Sequence, residues 1–167
     1  MTKINIVRMI AENAMIAAIY FVVTLATAPF AYRDIQFRIA EMLVLLCFWR
    51  PDFTIGLTLG CFLSNIMSPM PLDMLFGTLA TLISCLGVAY LSPRMVVGIA
   101  WPVLVNAFIV GAELYFMLEL PFWWNVLWVG IGELTVCVGG YIIWMLLART
   151  KVIRIVLRPT RHAEITW

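Results

Sequence analysis

The chain has 167 residues, of which 64% are hydrophobic and only 12% charged, with a mean hydropathy of +1.03 and a formal net charge of +2. Soluble domains are roughly half apolar and about a quarter charged, so a water-exposed globule is excluded and the lipid bilayer becomes the solvent. So small a net charge gives no reason to expect a nucleic-acid partner, and the information lies in where the charges sit.

Six apolar runs follow one another: Met9 to Ala28, Ile39 to Trp49, Phe53 to Met67, Leu72 to Leu91, Met95 to Leu118 and Trp123 to Ala148. The first follows the short basic stretch Met1 to Arg8 and is long enough to span, so it reads as a retained helix and not as a cleaved leader. The second and third fall short of the ~20 residues that a spanning helix needs, which leaves open a four-span arrangement with a re-entrant pair. Between the runs stand turn-forming stretches: Pro29 with Tyr32 to Asp34, Arg50-Pro51-Asp52, Ser68-Pro69-Met70-Pro71, Ser92-Pro93-Arg94 and Glu119-Leu120-Pro121. Backbone amides have no water to bind in lipid, and the long runs lack barrel alternation, so the predicted fold is all-α with six transmembrane helices.

Of the eleven basic residues, Lys3, Arg8, Arg50, Arg94, Arg149, Lys151, Arg154, Arg158 and Arg161 fall on one side in this arrangement, and only Arg33 and Arg38 on the other. The positive-inside rule then places both termini in the cytoplasm. Residues 1–148 form the transmembrane domain, and residues 149–167, with His162, a basic cytoplasmic tail read as a topology anchor with a solvated end. Cys47, Cys61, Cys85 and Cys137 lie inside apolar runs without CxxC spacing, as packing residues do. No metal site, cofactor motif or catalytic residue is predicted.

Ionisable groups inside a span are costly and mark function by default. Gln36, Arg38 and Glu41 open the second run, Asn65 closes the third, Asp73 opens the fourth, Asn106 and Glu113 lie in the fifth and Glu133 in the sixth, all in the extracytoplasmic half. Spacings of three (Arg38, Glu41) and seven (Asn106, Glu113) put each pair on one helix face, which should point inward. Asp73 has a competing reading as a helix N-cap, and Glu12, four residues after Arg8, reads as half of a local ion pair. Carboxylates in excess of the single Arg38 suit a ligand with a positive group or several N–H donors, while Gln36, Arg38, Asn65 and Asn106 can donate to a carbonyl. Trp101, Tyr115, Phe116, Trp123, Trp124 and Trp128 can stack on a planar ring or form an interfacial belt. Ala14, Ala17 and Ala18 give the first helix a small-residue face for a partner helix, and Gly56, Gly60 and Ser64 read as packing within the bundle.

The stretch Ile35 to Glu41, Asn65, Asp73 with Phe76 to Thr81, Pro102 with Asn106, Gly111 to Leu114, and Gly132-Glu133 together resemble the QueT family. Trp101 stands where that pattern has a second proline. The resemblance implies a six-helix substrate-binding S-component of an energy-coupling factor (ECF) transporter in the cell membrane. It further implies a queuosine precursor of the 7-deazaguanine type as substrate, and as partners a transmembrane T-component, met by the Ala14 and Ala18 face, and two cytoplasmic ATPases. The chain has no GxxxxGK[ST] loop of its own, and no HExxH or GxSxG arrangement, so a membrane-embedded enzyme is disfavoured. A stand-alone ion-coupled carrier would use the same carboxylates and is the principal alternative.

Overall fold

The computed structural model describes residues 6–28 and 37–150, with Leu157 and Thr160. Six helices are present among them: α1 (Ile6–Ala26), α2 (Ile39–Phe48), α3 (Phe53–Ile66), α4 (Asp73–Leu91), α5 (Met95–Leu118) and α6 (Phe122–Ala148). Four of these, α1, α4, α5 and α6, are long and apolar enough to cross a membrane; α2 and α3 are shorter, as their run lengths predict. Their outward faces carry exposed Ile, Leu, Val, Phe and Trp side chains from end to end, the arrangement that lipid requires.

The helices α1, α3, α4, α5 and α6 neighbour one another in that order, and α2 lies against α1, α3, α4 and α6. It is wound as a 3-10 helix, so its ten residues reach roughly 20 Å where an α-helix would reach about 15 Å. That extension places Arg38 at one end of the bundle and Arg50 at the other. Of the ten α2 side chains, Ile39 at its start is exposed, Met42 is half-buried and the other eight are buried, so α2 is a core element over the rest of its length. Gly140 of α6 admits Met42, and the Trp144 indole N–H donates to the Met42 carbonyl at 2.8 Å.

Close approach of α1 and α3 rests on two glycines. A Cβ on Gly56 would meet the Asn13 carbonyl at 2.5 Å, and one on Gly60 the Ala17 carbonyl at 2.7 Å. Ser64 is buried two turns further along the same helix, so Gly56, Gly60 and Ser64 do serve intramolecular packing. The Gly56 N–H, in the first turn of α3 where amides lack intrahelical acceptors, donates to Asn13 Oδ1 at 2.8 Å. This contact also divides the predicted alanine face. Ala17 is buried against Gly60, whereas Ala14 and Ala18 point outward.

Pro102 interrupts the regular hydrogen bonding of α5 near Ile99, and Glu119 ends the helix in the left-handed region with φ 55°. In the lipid setting, Thr24 and Thr27 use their hydroxyls on the carbonyls of Tyr20 and Val23, one turn back. All four cysteines are buried.

At the far end of α2, Arg50 gathers three segments. Its guanidinium binds both Asp52 carboxylate oxygens at 2.8 and 2.6 Å, Glu12 of α1 at 2.7 Å and the Leu157 carbonyl at 2.7 Å, and it stacks over the Phe53 ring. Glu12 does pair with Arg8, at 2.6 Å, but it bridges to Arg50 as well. The tail reading needs amendment at two residues: Leu157 is buried in the core, and the Thr160 N–H donates to the Trp49 carbonyl at 3.0 Å. Lys3, Arg33, Gln36, Lys151, Arg154, Arg158, Arg161 and His162 lie outside the described residues.

Candidate functional site

The site forms at the Arg38 end, where the start of α2, the end of α3 and the start of α4 converge. Arg38 precedes α2 and is buried; its Nη2 donates to both oxygens of Asp73 at 2.5 Å. Leu72 occupies the N-cap position and Asp73 is the first residue of α4, an acidic residue in the first turn whose carboxylate is engaged by Arg38. The reason is electrostatic: a buried guanidinium needs a carboxylate partner. Asn65, at the end of α3, donates from Nδ2 to the Asp73 carbonyl at 3.0 Å. Gly77 lies one turn beyond Asp73, and a Cβ there would meet Asp73 Oδ1 at 2.5 Å, Asn65 Nδ2 at 2.8 Å and Arg38 Nη1 at 3.0 Å. The missing side chain is what allows these three polar groups to meet.

Glu41, one 3-10 turn inward from Arg38, has no exposed surface. Its Oε1 accepts from the Tyr20 hydroxyl at 2.5 Å and from Thr81 Oγ1 at 2.8 Å. Glu133 is buried on α6, with Cys137 Sγ 4.0 Å away. Glu113 and Asn106 are buried on one face of α5. The contact of Ala107 with Gly130 sets Asn106 near the depth of Glu133 on the neighbouring helix. The charges of Glu41, Asp73, Glu113 and Glu133 all lie within electrostatic reach of Arg38. Seven of the eight nominated side chains are thus described, all seven are buried and the five charged ones form one electrostatic group; Gln36 is the eighth and lies outside the described residues.

Their hydrogen bonding is incomplete in a patterned way. Among the described residues, Arg38 Nε and Nη1, Glu41 Oε2, both carboxylate oxygens of Glu113 and both amide atoms of Asn106 are buried without a partner. Buried polar groups are normally satisfied, because each orphan costs about 1–3 kcal/mol. Five of these atoms, two guanidinium donors and three carboxyl acceptors, belong to the charged cluster, and the other two are the amide atoms of Asn106, which shares a face of α5 with Glu113, so donor and acceptor capacity is left unused around one group of residues. Four carboxyl groups share one guanidinium, more than a single arginine can pair with.

Three participants escaped sequence reasoning. Tyr20, Thr81 and Cys61 are residue types that an apolar helix carries for packing, and only their convergence on Glu41 and Asn65 distinguishes them. The aromatic side chains proved peripheral. Tyr115, Phe116, Trp123 and Trp124 are exposed around the α5–α6 turn; Tyr115 meets Phe116 and Phe122, Phe122 meets Trp123, and Trp124 meets the half-buried Trp128, all edge to face, as in an interfacial belt. Trp101 instead covers Gly87 in the π-wound last turn of α4. Two apolar surface grooves, of about 370 Å³ between α3 and α4 and about 200 Å³ between α1 and α3, do not include the polar cluster.

An all-helical bundle with a lipid-compatible exterior and a buried polar cluster at one end defines a multi-pass membrane protein that handles a polar solute. Residues 10–149 match the family model described as the QueT transporter, and the chain belongs to that family. It is therefore a transport protein of the cell membrane. Over 147 residues it is 29% identical to the queuosine precursor transporter QueT of Lactococcus lactis subsp. cremoris (strain MG1363), which covers 77% of this chain and 86% of that relative. No solved structure matches the chain.

Proposed function

We propose that the chain is the substrate-binding S-component of an ECF importer and captures a queuosine precursor, foremost 7-aminomethyl-7-deazaguanine, at the Arg38 end. The observation that carries this reading is the set of unused buried donors and acceptors. The ring carbonyl of a 7-deazaguanine suits the free N–H groups of Arg38, its amino and ring N–H groups suit carboxylate oxygens, and its ammonium suits the carboxyl groups in excess of that one arginine. Asn65 and Asp73 hold Arg38 in place, while Glu41, Asn106, Glu113, Glu133 and Gln36 complete the binding set.

In this reading the Arg38 end faces outward, all six helices belong to the membrane domain and both termini are cytoplasmic, in keeping with nine of eleven basic residues on that side. Energy comes from a T-component and two ATPase subunits, with the outward-facing Ala14 and Ala18 as the docking surface for the T-component.

Calorimetry of the purified chain with 7-aminomethyl-7-deazaguanine, against guanine and queuine, tests the substrate. Tight binding that exceeds guanine is expected; equal binding of guanine, or none by folded protein, overturns it. Co-purification tests the assembly: Ala14→Leu with Ala18→Leu should release the T-component and ATPases and leave ligand binding intact. The carboxylate surplus also supports a second reading, an ion-coupled carrier, for which uptake would persist without ATPase subunits and collapse with the ion gradient.

A further inference from the structure

The geometry points to Tyr20 and Thr81 as positioning residues for ligand recognition, which act by holding Glu41 so that Oε2 alone faces the ligand. This rests on the binding site proposed above. Glu41 is fully buried, and both of its hydrogen bonds converge on Oε1: the Tyr20 hydroxyl from α1 and Thr81 Oγ1 from α4. Oε2 is equally buried and has no partner among the described residues. Two donors from different helices on one oxygen restrain the rotation of the carboxylate plane, and the second oxygen is left as a presented acceptor. A carboxylate held only for structure would be expected to divide its donors between its oxygens.

The two donors are themselves held. The Tyr20 backbone lies against α3, where a Cβ on Gly60 would meet the Tyr20 Cβ at 2.9 Å. Thr81 Oγ1 gives its proton to Glu41, so at its 3.2 Å contact with Cys61 Sγ it can only accept. Asn65 Nδ2 in turn donates to Cys61 Sγ at 3.3 Å and to the Asp73 carbonyl. The one Cys61 thiol proton has two acceptors in reach, Thr81 Oγ1 at 3.2 Å and the Gly77 carbonyl at 3.8 Å; given to the nearer, it completes a chain from Asn65 through Cys61 and Thr81 to Glu41, linking the carboxylate to the same Asn65 that binds the Asp73 carbonyl. Donor and acceptor sides of the site are set by one network, so the distance between them is fixed before ligand arrives. Tyr20 adds a connection to α1, the helix whose outward face bears Ala14 and Ala18.

The experiment is a double-mutant cycle by calorimetry on the full chain, with 7-aminomethyl-7-deazaguanine as probe and Tyr20→Phe, Glu41→Gln and the pair together. Tyr20→Phe should weaken binding roughly tenfold, the loss of one well-placed charged hydrogen bond, and should cost nothing further once Glu41 is glutamine. Thr81→Val in the same two backgrounds should repeat the pattern, and it carries the test if Tyr20→Phe fails to fold. Losses that multiply across the cycle, or wild-type affinity in both single variants, overturn the inference. Infrared spectroscopy gives a reading that needs no ligand: a carboxyl band that shifts in Tyr20→Phe and is absent in Glu41→Gln is expected, and an unmoved band overturns the positioning role. Failure of the wild type to bind, with the band shift present, would strike the substrate reading and leave the positioning of Glu41 standing.

Discussion

Two arginines flank α2, each only 3% exposed, and they are used in opposite ways. Arg50 donates from Nε, Nη1 and Nη2 to Asp52, Leu157 and Glu12, and its face is covered by Phe53. Arg38 spends only Nη2, on Asp73, and leaves Nε and Nη1 buried and unmatched among the described residues. A guanidinium engaged at all three nitrogens ties the fold together, whereas one held at a single nitrogen is fixed in place with donors to spare. Burial is the same at these two sites; what differs is the hydrogen-bonding capacity left unused, and the proposed binding role draws on that difference.

The sharpest way to break this contrast is Arg50→Met. It strands Asp52 and the Leu157 carbonyl and leaves Glu12 with Arg8 alone, and it should cost about 3 kcal/mol of stability, toward the low end for a buried pair because the two carboxylates keep some access to water. Thermal unfolding in detergent should show the loss, while the folded fraction keeps its ligand affinity. A variant that melts normally but no longer binds would mean that the Arg50 end is functional and the contrast wrong.

Glu113→Gln probes the other end. Neither oxygen of Glu113 has a partner among the described residues, so neutralising it should leave folding intact and weaken 7-aminomethyl-7-deazaguanine binding by roughly tenfold to a hundredfold. Glu133→Gln should act in the same direction but less strongly, because Cys137 lies beside that carboxylate. Unchanged affinity in both would remove these two carboxylates from the site.

Gly77→Ala separates geometry from charge. Alanine favours the helix by up to about 1 kcal/mol over glycine, yet its Cβ would press on Asp73, Asn65 and Arg38 at once. Affinity should fall several-fold with little change in melting temperature. Wild-type binding by this variant would show that the Arg38–Asp73–Asn65 spacing does not govern recognition.

The helical fold and the inward-facing residues were legible because lipid leaves so few alternatives: a long apolar run must be a helix, and an ionisable residue within it must turn inward. Arg38, Glu41, Asn65, Asp73, Asn106, Glu113 and Glu133 were found on that ground alone, and all are buried. Pairing was not legible. Thirty-five residues separate Arg38 from Asp73 and 21 separate Tyr20 from Glu41, so no periodicity within one helix reports either contact. The 3-10 winding of α2 was equally hidden, since an all-apolar run has no polar face whose period could distinguish 3.0 from 3.6 residues per turn. Ala17 was misplaced for a related reason. Three small residues in one helix turn look alike in sequence, and only Gly60 across the interface separates Ala17 from Ala14 and Ala18.

Asn106 offers the smallest effect and the cleanest sign. Both of its amide atoms are buried without partners among the described residues, so at present the side chain is a cost to the fold. Asn106→Leu keeps the branching at Cγ, removes that cost and should stabilise the folded chain by about 1 kcal/mol. Affinity for 7-aminomethyl-7-deazaguanine should fall in the same protein, because the amide is retained for the ligand. A stabilised variant that binds less well is the signature of a polar residue kept for function. Loss of stability would show instead that Asn106 already has a structural partner, and would place it with Arg50 in the contrast between the two ends.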